Sequence, residues 1–201
     1  MRLIRYFFEY IVIIILFSLF KLLGYRNASE LGYFLGKTFG PFFRSKKKIA
    51  DNLNKFDTSL TSEKINKISQ EMWGNYGRIL SEYSYISNFS KGDLDKYIKI
   101  ENIERLEEIK NGLPVVFVSA HFSNFELMAM AIEKAGINLS AIYRPLNNKM
   151  VNSIMEPLRR KYICKKQIKK GLNGVREALK YFKQGISIAI MIDQRVSEGK
   201  R

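Results

Sequence analysis

The stretch Val115-Val116-Phe117-Val118-Ser119-Ala120-His121-Phe122-Ser123-Asn124-Phe125-Glu126 decides the fold. Its first part is a short β-branched and aromatic run opened by Asn111-Gly112-Leu113-Pro114. It is too uniformly apolar for a half-exposed strand, and it predicts a buried, central, parallel one. From Phe125 the pattern changes: Phe125, Leu127, Met128, Ala131 and Ile132 recur at helical spacing up to Gly136, which fits a C-terminal glycine. His121, the one histidine of the chain, therefore falls in a strand-to-helix loop. In open α/β sheets that carboxyl-end crevice is where ligands bind. The loop has two readings. Ser123 and Glu126 fit a capping box, with Ser123 as N-cap and Glu126 reaching back to it. Alternatively, Glu126 is a carboxylate within reach of an imidazole base.

Outward from this segment, strand and helix patterns alternate. Strands are expected at Tyr97 to Glu101, from Val115, at Leu139 to Tyr143 and from Ile186. Helices are expected around Ile103 to Lys110, from Phe125, at Lys149 to Tyr162 and at Leu172 to Phe182. Such alternation predicts an α/β fold with a mostly parallel sheet flanked by helices and right-handed crossovers. Upstream, Ile65, Ile68, Met72, Tyr76, Ile79 and Tyr83 step by three and four, which predicts a long helix from Thr61 to Ile86 capped by Thr61 or Ser62.

The N-terminus is different in kind. Tyr10 to Phe20 is an almost unbroken apolar run, extended by Phe7, Phe8, Leu22 and Leu23. A helix from Phe7 to Leu23 is about 26 Å long, marginal for a hydrocarbon core of roughly 30 Å. Arg2 and Arg5 precede it, while Lys21 and Arg26 follow it, so flanking charge does not set an orientation. Arg26-Asn27-Ala28 is a poor cleavage site, which favours an uncleaved membrane anchor over a signal peptide. The expected division is an anchor helix over 1–26 and one α/β domain over 27–201. Gly32, Gly36 and Gly40 recur every four residues, a pattern for close helix contact. With Lys37-Thr38 they imitate a phosphate loop, but the first glycine stands one residue too close. Arg44-Ser45-Lys46-Lys47-Lys48 forms a basic patch that suits an anionic surface or an ordinary solvated helix start.

The 201 residues suit one sizeable core, and the formal charge of +15 implies acidic partners. One cysteine and one histidine are too few for a structural zinc site, and no metal is expected. No zinc spacing, RNP-like motif or helix-turn-helix signature supports nucleic-acid binding.

His121-Phe-Ser-Asn-Phe-Glu126 resembles the H-x4-(D/E) motif of glycerolipid and lipid A acyltransferases. Glu in place of Asp, and Ala120 before the histidine, favour the lauroyl/myristoyl lipid A branch. Tyr143-Arg144-Pro145-Leu146-Asn147-Asn148, the basic Arg159-Arg160-Lys161 and the pair Asp193-Gln194 follow in the order that branch shows. The resemblance implies a glycerolipid-acyltransferase-like fold and an O-acyltransferase without cofactor. It also implies acyl carrier protein as acyl donor, a phosphorylated glucosamine lipid as acceptor, and a place on the cytoplasmic side of a bacterial inner membrane, with no nucleic acid involved. It assigns His121 as general base oriented by Glu126, and Arg144, Asn147, Arg160, Asp193 and Gln194 to substrate binding, with Asp193 also suited to orienting Arg144 or another basic group. Members of the family continue past the Asp-Gln pair, so a domain truncated at its C-terminus is expected. An inactive anchored remnant and a basic nucleic-acid-binding protein are the alternative readings.

Overall fold

The computed structural model describes residues 2–193. They divide into two compact units: one formed by 2–11 with 86–193, the other by Val12–Tyr85. The division falls inside the first helix and after Tyr85.

The first helix, α1, runs Arg2–Leu23. The unit that begins at Val12 continues with α2 (Tyr25–Phe39), a 3-10 turn at Gly40–Phe42, α3 (Lys46–Phe56) and α4 (Ser62–Tyr83). Thr61 caps α4 as expected, its hydroxyl accepting from the Lys64 N–H at 3.3 Å. The helix ends three residues before Ile86, at a Ser84 cap. The glycine repeat does what its spacing predicts. A Cβ on Gly32 would stand 2.5 Å from the Gly77 carbonyl, and one on Gly36 2.9 Å from the Gly77 Cα, so α2 and α4 touch backbone to backbone. The face of Trp73 fills the place a side chain on Gly40 would take. Gly74 and Gly77 therefore serve the crossing and leave α4 unbroken.

The other unit contains α5 (Ile86–Lys91), α6 (Glu104–Lys110), β1 (Val116–Ser119), α7 (Glu126–Lys134), β2 (Leu139–Tyr143), α8 (Lys149–Tyr162), β3 (Lys166–Lys169), α9 (Leu172–Lys183) and β4 (Ser187–Met191). The strands form one parallel sheet in the order β1-β4-β2-β3, an α/β fold as anticipated. Its core is Ile168, Ala178 and Ile188, closed by Ile142, Tyr181, Phe182 and Ile190. Gly136, at φ 85°, ends α7 in a Schellman pair: its N–H donates to Glu133 O (3.0 Å) and Ile137 N–H to Ile132 O (3.3 Å).

Three expectations need correction. β1 is not central: among the described residues it pairs only with β4, and Val116 and Val118 are about half exposed. Apolar composition reports a tendency to be covered, not which strand covers it. No strand forms at Tyr97 to Glu101. Asp95–Tyr97 is a 3-10 turn, and Ile98, though extended, has no ladder partner among the described residues. Finally, β3 was not anticipated. Only Ile168 and Gln167 are buried in it, while the flanking lysines that hide its pattern suit an edge strand, where charge discourages further pairing.

Candidate functional site

The site lies at the carboxyl edge of the sheet. Parallel pairing of β1 with β4 sets Ser119 opposite Met191, and Ile192 N–H donates to Ser119 O at 3.0 Å. The two chain segments leave the sheet side by side, and two residues beyond that last pair stand His121 and Asp193. The Nδ1 of His121 lies 2.8 Å from Asp193 Oδ1, and the backbone N–H of His121 donates to Oδ2 at 3.0 Å. Both carboxylate oxygens are thus engaged by one residue. Partial burial works to raise the Asp193 pKa, but the bonds from the His121 ring and backbone outweigh it and hold the carboxyl below its ordinary value.

Between β1 and α7 the chain folds through successive tight turns. Phe122 N–H donates to Ala120 O (2.8 Å), Phe125 N–H to Ser123 O (3.0 Å) and Leu127 N–H to Asn124 O (3.1 Å). Ser123 adopts φ 44°, an uncommon conformation for a residue with a side chain. The turns bring the Phe125 ring edge-on to the imidazole, with centroids 4.5 Å apart.

The capping-box reading of this loop does not hold. Phe125 occupies the N-cap position of α7 and supplies no side-chain cap, Ser123 lies in the turn before it, and Glu126 is the first helical residue. The Glu126 carboxylate is instead ion-paired with Arg159 of α8. Its Oε1 accepts from Nε at 2.9 Å and lies 2.7 Å from Nη2, with the two side chains only 10% and 14% exposed. Next to a helix N-terminus the carboxylate is also favoured by the dipole.

The remaining candidates are less engaged. Arg144 and Asn147 are exposed on the loop after β2. Arg160 pairs with Glu156 one turn earlier at 3.0 Å and faces outward. Gln194 lies outside the described residues. Of the basic run 159–161, it is Arg159 that reaches inward, a choice the sequence reading missed. Helical spacing carried the signal, since Arg159 stands four residues after the buried Met155 and Arg160 four after Glu156. Cys164 is buried, and its thiol is pushed up to about 12, chiefly by burial, which removes it as a nucleophile. No group of three or more metal-ligating His, Cys, Asp or Glu side chains occurs among the described residues.

The loop between β1 and α7 thus carries a histidine fixed by the Asp193 carboxylate and leads into a helix whose first residue is ion-paired with Arg159. The sequence model of the family described as bacterial lipid A biosynthesis acyltransferase matches residues 1–200. No curated protein matches the chain. The chain belongs to that acyltransferase family.

Proposed function

We propose that this member of the lipid A biosynthesis acyltransferases moves a fatty acyl group from an acyl thioester, carried by acyl carrier protein, to a hydroxyl of a phosphorylated glucosamine lipid. The observation that carries the reading is the His121–Asp193 pair. With Nδ1–H donated to Asp193, Nε2 is left as the basic nitrogen, and the carboxylate stabilises the imidazolium as it forms. The acceptor hydroxyl gives its proton to Nε2 while its oxygen attacks the thioester carbonyl. The tetrahedral intermediate then expels the thiolate, which takes the proton back from the imidazolium. No enzyme nucleophile enters.

In this reading the orienting role anticipated for Glu126 passes to Asp193. Glu126, paired with Arg159, ties the start of α7, and with it the turn that follows His121, to α8. The exposed Arg144 and Asn147, with Arg160, suit the acceptor phosphate, since a planar guanidinium matches phosphate oxygens. The proposed setting is the cytoplasmic side of a bacterial inner membrane. One apolar N-terminal helix supports membrane association, as do Phe42 and Phe43, 84% and 80% exposed, just before the Lys46–Lys48 run.

The test is acyl transfer from acyl carrier protein to a lipid A precursor by membranes holding the full chain. Transfer that is lost in His121→Ala supports the proposal, and transfer unchanged in that variant ends it.

A further inference from the structure

We propose that Asn152 and Glu156 of α8 are positioning residues for acyl transfer: they bracket Arg144-Pro145 and set the loop that presents Arg144 and Asn147 to the phosphorylated acceptor. The proposal rests on the acceptor-binding reading of Arg144 and Asn147 given above.

The loop spans 144–148, between the end of β2 and the start of α8. Both of its ends are fixed. Lys170 N–H donates to Tyr143 O at 2.9 Å, carrying the β2–β3 ladder to the last residue of β2. Asn148 caps α8, its Oδ1 accepting from Met150 N–H (3.0 Å) and Val151 N–H (3.3 Å). Between these ends Pro145 has no N–H to offer, and its ring keeps Arg144 out of the helical region. Arg144, Leu146 and Asn147 are exposed. With no ladder of its own, the middle of the loop takes its place from side-chain tethers.

α8 supplies them. Asn152, Glu156 and Arg160 stand four residues apart on one row of the helix. Asn152 Oδ1 accepts from Leu146 N–H at 3.0 Å, and Nδ2 of the same amide donates to Glu156 Oε2 at 3.0 Å. Glu156 Oε1 accepts from Arg160 Nε at 3.2 Å and from Nη2 at 3.0 Å. The row therefore has a direction. A carboxylate only accepts, which turns Nδ2 of Asn152 toward Glu156 and leaves Oδ1 for the Leu146 N–H. The reversed amide would set its oxygen against the carboxylate and its NH2 against the backbone N–H. Burial works to raise the Glu156 pKa, but Arg160, Tyr143 and Asn152 outweigh it and hold the carboxyl below its ordinary value.

The row reaches out of α8 at two points, and these flank Arg144-Pro145. One is the Leu146 N–H. The other is the side chain of Tyr143, whose phenol pKa is pushed up by burial and by the Glu156 carboxylate beside it. Anchoring of α8 itself falls to other residues, since Met155 is buried and Arg159 pairs with Glu126. The Asn152–Glu156–Arg160 row thus serves the segment that carries Arg144.

The test is acyl transfer by membranes holding the full chain, with the concentration of each substrate varied in turn. Asn152→Ala should raise KM for the phosphorylated glucosamine lipid roughly 3–10-fold, about the worth of one hydrogen bond. Its kcat and its KM for the acyl thioester should stay within about twofold of wild type. Hydrogen exchange read by mass spectrometry should show 144–148 exchanging faster while α8 keeps its protection. Asn152→Asp alone sets two carboxylates together and should raise the same KM. The double variant Asn152→Asp/Glu156→Gln reverses the middle bond and should restore it: the new carboxylate accepts from Leu146 N–H, and the new amide donates to it and accepts from Arg160. If Asn152→Ala does not fold, Asn152→Asp against the double variant makes the same comparison. An unchanged acceptor KM overturns the proposal, as does a loss shared equally by both substrates and by the protection of α8, which marks a structural role. If the wild type transfers nothing, the acyl-transfer reading fails on its own. Dissociation constants of the same lipid for wild type and Asn152→Ala then decide: weaker binding by the variant supports the proposal, while equal values or no binding overturn it.

Discussion

His121 and Asp193, 72 positions apart in the chain, meet through two bonds at the end of a shared strand ladder, at 2.8 Å from ring nitrogen to carboxylate and 3.0 Å from backbone N–H to the other oxygen. The double contact makes Asp193 both a partner of the imidazole and a clasp on the residue that carries it.

Asp193→Asn should therefore lower acyl transfer by about 10²–10⁴-fold with little change in fold, because an amide can hold the loop while favouring the wrong imidazole tautomer. Initial rates and far-ultraviolet circular dichroism on the same samples check this. Full activity in the Asn variant would return the orienting role to another group.

The Glu126–Arg159 pair is predicted to be coupled. Removing one partner leaves a buried charge alone and should cost about 3–5 kcal/mol. The double variant Glu126→Leu/Arg159→Met should cost less than the sum of the single changes. Urea midpoints of the four proteins test this; additive losses would contradict a direct pair.

Gly77→Ala should destabilise in spite of the roughly 1 kcal/mol that alanine gains over glycine within a helix. Its new methyl meets the backbone of Gly32 and Gly36, with the Gly36 Cα at 2.9 Å, and neither can rotate away. A loss of about 1–3 kcal/mol in a denaturant melt is expected, as for other overpacked contacts. A stabilised variant would mean that α2 and α4 move apart freely.

Cys164 sets a pH dependence whose sign follows from its raised pKa. The unfolded thiol loses its proton near 9.0, whereas the folded one keeps it to about 12. In that window the folded state binds more protons, so the contribution of Cys164 to stability is whole below the unfolded value and falls as pH rises, by about 1.4 kcal/mol per unit. Stability measured at pH 8 and pH 10 should fall more steeply for the wild type than for Cys164→Ala. Thiol reagents should modify the native chain only at its unfolding rate.

The local features were legible because their signals are local. The boundaries of β2 and α8, the Thr61 cap, the Gly136 terminus and the glycine-lined crossing each depend on periodicity or on residues a few positions apart. The parallel α/β class followed from their alternation. His121 at a strand end was equally readable, since it needed only the strand and the helix on either side.

Tertiary structure decided who meets whom. Glu126 is the carboxylate nearest to His121 in sequence. The sheet brings a second one from far away: β1 lies beside β4, and the register of Ser119 with Met191 delivers Asp193 to the imidazole. Crossover connections make strand neighbours of distant segments, and nothing in either strand's composition states which neighbour it will take. The same cause placed β1 at the edge among the described residues. It also turned Arg159 inward. The sequence determined the elements and the chemical groups at their ends; pairing between segments far apart in the chain determined which of those groups touch.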